Sequence, residues 1–261
     1  MNRLQFGPLA LVEENLNRPT AGSISSVEDS VEDNPRMRTE TVAAGLPTKM
    51  GQAVYPHSLF IPSGYEKNYS YPLVVYLHDE QQNESMIHQV MSQISYQNYV
   101  GASFASPLSP GLKCSWGQCE DVIELSDLAL AQCITAVKRR LNINADKVFL
   151  AGTGAGGTMA FRLALQNPSL VAGVISINGD LPKALTPFAQ LKAARNVPIF
   201  WAHYRDSTVF PEASLCSNLS LLHTGGFSIT LRQYPNDNVG CRQVFSDSNK
   251  WIMEQVTGQS S

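Results

Sequence analysis

From residue 57 onward, short apolar runs alternate with longer stretches in which apolar residues recur at helical spacing. Residues 57–62 (HSLFIP), 72–78 (PLVVYLH), 99–105 (YVGASFA), 146–151 (DKVFLA), 172–178 (AGVISIN), 197–204 (VPIFWAHY) and 227–234 (FSITLRQY) read as strands. Runs such as PLVVYL are apolar at both parities, which predicts strands buried on both faces. Helical stretches lie between them. Residues 83–96 place Met86, Val90 and Ile94 near helical spacing, and 121–141 bring Leu125, Leu128, Cys133, Val137 and Leu141 on or near one face. Residues 156–167 form a helix stopped by Pro168, and further helices are expected around 187–194, over 211–223 and over 241–256. This alternation predicts an α/β protein: a three-layer α/β/α sandwich around a mostly parallel sheet of about eight strands. Ligands of such sheets sit at the carboxyl ends of the strands. The loops that matter therefore follow His78, Ala105, Ala151, Asn178, Tyr204 and Tyr234.

Residues 1–50 lack the pattern. From Glu13 on they are rich in Glu, Asp, Ser, Thr, Asn and Pro, with Ser-Val-Glu-Asp occurring at Ser26 and again at Ser30. Such a segment has little to bury, so 1–50 is expected to be an acidic, disordered extension and 51–261 the folded domain. Charged residues make up 16% of the 261, and the net charge is -3. The basic cluster Lys138-Arg139-Arg140 ends an expected helix, where it complements the helix dipole. With no basic stripe, no nucleic-acid partner is expected. No run approaches the roughly 18 to 20 apolar residues of a membrane span, and residues 1–15 contain no unbroken apolar run, so neither membrane nor secretory leader is expected and the location is expected to be cytoplasmic. The five cysteines (Cys114, Cys119, Cys133, Cys216 and Cys241) are odd in number and fit no zinc spacing. Free thiols, no metal site and no cofactor are the expectation.

The segment VFLAGTGAGGTMAFRLAL is a strand, a glycine-dense turn and a helix. Two motifs compete for it. In the nucleophile elbow, G-x-S-x-G, a sharp turn lifts one side chain above the sheet, and small flanking residues let helix and strand approach. Gly152, Gly154, Gly156 and the following Gly157 keep that frame, with glycine at the apex. The dinucleotide fingerprint G-x-G-x-x-G is met by Gly152, Gly154 and Gly157, with Asp180 at the end of the next strand. That turn normally follows the first strand of its unit, whereas this one follows several.

The words HSLFIPSGY, PLVVYLH, DKVFLAGTGAGGTMAFRLALQNP, LVAGVISINGDLP, VPIFWAH and ITLRQYP, in this order from His57 to the closing helix, resemble the α/β-hydrolase superfamily. The resemblance is to its carboxylesterase/phospholipase branch, close to feruloyl-esterase and polyhydroxyalkanoate-depolymerase-like proteins. It implies an α/β-hydrolase fold, a nucleophile at the turn, an acid after the penultimate strand, a histidine base after the last strand and an oxyanion loop after the central strand. These positions hold Gly154, Ser207 with Asp206 next door, Asn238, and His78-Asp79, with Ala155 as the donor after the apex. No histidine follows His223, which lies near a helix end. Thr153 and Thr158 flank the apex without an obvious base, so their hydroxyls are expected to be structural.

Glycine has no side chain to attack with, and two acids, Asp79 and Glu80, oppose a developing negative charge. The expectation is a pseudoenzyme: a non-hydrolytic protein that binds a small molecule or a protein in the former cleft, edged by His78, Asp79, Asp180, His203, Asp206, Asp237 and Asn238. The alternative is a carboxylic-ester hydrolase or other enzyme built on relocated groups, with His78 and His203 close together above adjacent strands and Asp79 or Asp206 nearby. A lesser alternative is nucleotide binding at the turn, since a helix N-terminus favours anions.

Overall fold

The computed structural model describes residues 39–42, 57–107, 116–183, 190–205, 207, 209–236 and 238–258, with backbone only for 39–42, 238 and 239. The chain divides after Asn34 into two units, and every described residue belongs to the second.

The described strands are β1 (Thr39–Val42), β2 (His57–Phe60), β3 (Tyr71–Leu77), β4 (Val100–Phe104), β5 (Ile143–Thr153), β6 (Gly173–Ile177), β7 (Ile199–Tyr204) and β8 (Ile229–Tyr234). They form one sheet in the order β1-β2-β4-β3-β5-β6-β7-β8. β2 pairs antiparallel with both neighbours, and every pairing from β4 to β8 is parallel. β1 lies inside the stretch whose composition suggests an extension. Its sequence, TETV, is mostly β-branched, and β-branched residues suit a sheet edge.

The helices are α1 (Met86–Ile94), α2 (Glu120–Arg140), α3 (Ala155–Gln166), α4 (Leu191–Ala194), α5 (Glu212–Thr224) and α6 (Asn238–Thr257). Strand parity sorts the core. Leu73, Val75, Leu77, Val148, Leu150, Ile199 and Trp201 pack under α2, α3, α4 and α5. Val74, Tyr76, Phe149, Ala151, Phe200 and Ala202 pack under α1 and α6. Each strand thus feeds two hydrophobic layers, as its double-parity apolar run predicts. The fold is the expected three-layer α/β/α sandwich.

The buried stripe of α2 differs in phase from the sequence reading. Val122, Ser126, Ala129, Cys133 and Val137 face the sheet, joined by Ile123, Leu130 and Ile134. Leu125 and Leu128 are exposed. Ser126 fits the stripe because its hydroxyl donates to the Val122 carbonyl at 2.6 Å, so it enters the core with its polar atom satisfied. Among the described residues, no helix is long and apolar enough to cross a membrane. Cys119, Cys133, Cys216 and Cys241 are free thiols, and Cys114 lies outside the described residues.

Candidate functional site

β5 ends at Thr153 and α3 begins at Ala155, so Gly154 alone makes the turn. Its φ of 55° and ψ of -122° are open to glycine and strained for any other residue. The Gly154 N–H donates to the Ile177 carbonyl at 2.9 Å, which fixes the turn against β6. The flanking glycines are steric necessities. A Cβ on Gly152 would strike the backbone of Gly156 and Gly157, and one on Gly156 would strike the carbonyls of Leu77 and His78. Gly157 lies against the Gly152 carbonyl and the Ser176 hydroxyl. The frame therefore brings α3, β3 and β5 together, as an elbow requires.

Asp79 occupies the space above the apex. A Cβ built on Gly154 would overlap its carboxylate. Asp79 Oδ1 accepts the Ala155 N–H at 3.1 Å and the Glu80 N–H at 2.8 Å. Ala155 N–H is the donor that follows the apex, the expected oxyanion donor. It is engaged by an anion of the chain itself. The loop that carries Asp79 is held by a Gln82 N–H to Asp79 carbonyl bond at 3.3 Å and an Asp79 N–H to Gln82 Oε1 bond at 3.2 Å, with Gln81 at a φ of 60°.

His78 is buried, and its Nδ1–H donates to the Asp79 carbonyl at 2.9 Å. A carbonyl only accepts, so Nδ1 carries the proton. Trp116 Nε1–H donates to the His78 carbonyl at 2.7 Å, with the two rings 5.2 Å apart. Burial holds the imidazole below its ordinary pKa, against the pull of the Asp79 carbonyl, Glu84 and Asp79. His78 thus orients the loop.

His203 lies buried on β7 and faces a cavity of about 450 Å³ shared with Arg205, Ser207, Pro211, Glu212 and Gln233. Burial lowers its pKa, and Glu212 opposes the shift. Ser207, at the acid position, accepts the Phe210 N–H at 3.2 Å and closes the turn that leads into α5. Asp206 and Asp237 lie outside the described residues. Asn238, at the base position, is the first residue of α6.

The pairing of His78 with His203 fails on strand order. β5 and β6 stand between β3 and β7, which separates the two by three strand spacings, about 14 Å. Among the described residues, no three metal-ligating side chains come together. His223 is exposed in the last turn of α5.

Both threonines are structural. Tyr76 O–H donates to Thr153 Oγ1 at 3.0 Å, and Asp180 N–H donates to Thr158 Oγ1 at 2.9 Å. Asp180, the acid of the dinucleotide reading, pairs with Lys183 at 2.7 Å and accepts from Asn218 Nδ2 at 2.7 Å. Its carboxylate ties β6 to α5, and the first N–H of α3, at Ala155, is held by Asp79. The sequence reading set Asp79 down as an obstacle to negative charge. It missed that the carboxylate seats itself on the Ala155 donor. The signal was the replacement of small residues by an acid in a loop that must pass over a glycine apex.

A family model described as phospholipase/carboxylesterase matches residues 33–237. Over 168 residues the chain is 26% identical to lysophospholipase-like protein 1 of Mus musculus, covering 59% of this chain and 70% of that protein. The carboxylesterase of Bacillus cereus superposes with a TM-score of 0.60 at 14% identity, over 78% of this chain and 95% of the other. A carboxylesterase from Mesorhizobium loti gives a TM-score of 0.63 at 13% identity, over 82% and 98%.

Proposed function

We propose, because the chain belongs to the phospholipase/carboxylesterase family of α/β-hydrolase-fold proteins yet carries glycine at the apex of its elbow, that it is a non-hydrolytic member that binds a small molecule or a protein through the former cleft. The observation that carries this reading is the Asp79 carboxylate, set against Gly154 where a nucleophile side chain would stand and bonded to the Ala155 N–H. Acyl transfer needs a nucleophile, a base and donors free to meet the oxyanion. Here the first is absent, the base position holds Asn238, and a described donor meets a carboxylate. A carboxylate there repels the charge that the reaction would develop.

The test is hydrolysis of short p-nitrophenyl esters by the purified chain. The expected rate equals that of a heat-denatured control. Turnover that copurifies with the chain through successive columns overturns the reading.

A further inference from the structure

At the end of the sheet away from the elbow, a cavity of about 260 Å³ opens where β3 begins. Tyr71 pairs with Ile143 there, whereas Gly152 of the elbow pairs with Leu77, so the length of β3, about 20 Å, separates the two. Tyr69, Tyr71 and Tyr99 line the cavity, and Met253 and Val256 of α6 add apolar surface. The rings of Tyr69 and Tyr71 meet at 78° with centroids 4.6 Å apart, which makes a corner of two aromatic walls. The rings are anchored. Tyr65 stacks on Tyr71 at 5.0 Å, and its hydroxyl accepts the Asn142 N–H at 2.7 Å. Tyr99 O–H donates to Asn249 Oδ1 at 2.8 Å. Glu66 also lines the cavity. Its N–H donates to the Tyr71 hydroxyl at 3.1 Å and its carbonyl accepts the Tyr69 N–H at 3.1 Å, so the backbone ties this acid to both rings. Among the described residues, the Glu66 carboxylate has neither a hydrogen-bond nor an ion-pair partner, and no lysine, arginine or histidine lines the cavity.

We propose that this cavity binds a small quaternary ammonium compound, its methyl groups against the tyrosine rings and its charge balanced by Glu66. A cation is drawn to the face of an aromatic ring, and several rings together suit a quaternary ammonium group. Such a group carries no N–H, so walls made of rings, Met253 and Val256 leave none of its hydrogen bonds unmade. A primary ammonium brings three donors that water serves better. An anion is excluded by charge, since Glu66 repels it and no lining residue attracts it. The volume lies below the ~300–1,000 Å³ of most small-molecule sites, which fits a compound of the size of choline and not a lipid with its chains. The elbow takes no part, and esterase turnover there would leave the proposal standing.

The test uses choline and the full chain. Two controls keep the size: 3,3-dimethyl-1-butanol, in which carbon replaces the charged nitrogen, and ethanolamine, a primary ammonium. The proton resonance of the choline methyl groups is followed as the chain is added. It is expected to move upfield, because protons over the face of a ring are shielded. The melting temperature rises with choline and reads binding independently. Glu66 and Tyr69 are exposed, so both can be replaced without disturbing the core, and melting without choline checks that the variants fold. Glu66→Gln and Tyr69→Leu are each expected to raise the choline Kd about tenfold, while Tyr69→Phe, which keeps a ring, stays within about twofold. Both controls are expected to bind at least about tenfold more weakly than choline. The proposal is overturned if neither the resonance nor the melting temperature responds to about 10 mM choline, a Kd too weak to matter. It is equally overturned if the neutral control binds as tightly as choline, or if Glu66→Gln leaves the Kd unchanged. Sedimentation of the chain with phosphatidylcholine vesicles that free choline does not compete would assign the cavity to a lipid surface and overturn it too.

Discussion

A side chain at position 154 would need room that Asp79 already fills. Gly154→Ser is therefore expected to cost stability twice. The positive φ alone costs about 1–2 kcal/mol for a residue with a Cβ, and the overlap with the carboxylate adds to it. Asp79→Gly removes the overlap, so in the double variant the serine should cost only its backbone strain. Urea denaturation of the four chains is expected to give a coupling of about 1–3 kcal/mol in favour of the double variant. Additivity within about 0.5 kcal/mol would show that the carboxylate swings away freely. Neither serine variant is expected to hydrolyse esters, since Asn238 supplies no imidazole. The glycine frame was legible in the sequence because each glycine answers a local steric demand. The Asp79–Ala155 bond was not, because it joins residues 76 apart and depends on how the loop after β3 folds over the turn.

Among the elements, α6 is tied to the sheet by one buried carboxylate. Asp247 accepts Tyr234 O–H at 3.0 Å and Arg232 Nη1–H at 2.9 Å, with Lys250 Nζ at 3.6 Å. Burial raises its pKa, but the bonds from Tyr234 and Arg232 and the charges of Arg232 and Lys250 outweigh it, and the carboxyl ends below its ordinary range. Arg232 and Lys250 are largely exposed, so their ion pairs contribute little. Tyr234 is 2% exposed, and its hydroxyl has no water to turn to. Asp247→Ala is expected to destabilise by about 1–3 kcal/mol, the cost of an orphaned buried polar group. Adding Tyr234→Phe should recover part of that loss in the urea midpoint, whereas adding Arg232→Gln should not. A double variant no more stable than Asp247→Ala would assign the loss to packing. The sequence showed α6 and β8 as elements, but the bond between them spans the crossover. The expected stripe of α2 held Cys133 and Val137 correctly but took in Leu125 and Leu128, whereas Ser126 and Ala129 complete the buried face.

On the scale of the whole molecule, strand alternation announced the parallel sheet, but not that β4 lies outside β3 or that two strands part His78 from His203. Spatial order depends on where each crossover lands, which periodicity does not record. The same layers set the response to acid. His78 follows β3, His88 sits on α1 and His203 on β7, and burial is the leading cause that lowers the pKa of each below the ordinary 6.5. A base with a depressed folded-state pKa resists protonation in the folded chain, while the unfolded chain takes up its protons near 6.5. The unfolded state then binds more protons, so stability rises with pH across that interval and is lost as pH falls from about 6.5 toward the folded-state values. Asp247 adds its own loss only when pH falls below the ordinary carboxylate value of 3.8, so the two effects separate along the pH axis. The urea midpoint is expected to be flat from about pH 8 to about pH 7 and to decline toward about pH 5.5. Replacing all three histidines by glutamine should flatten that decline, at a lower midpoint throughout. A decline that persists unchanged in the triple variant would place the proton uptake on other groups and remove burial of these imidazoles as its cause.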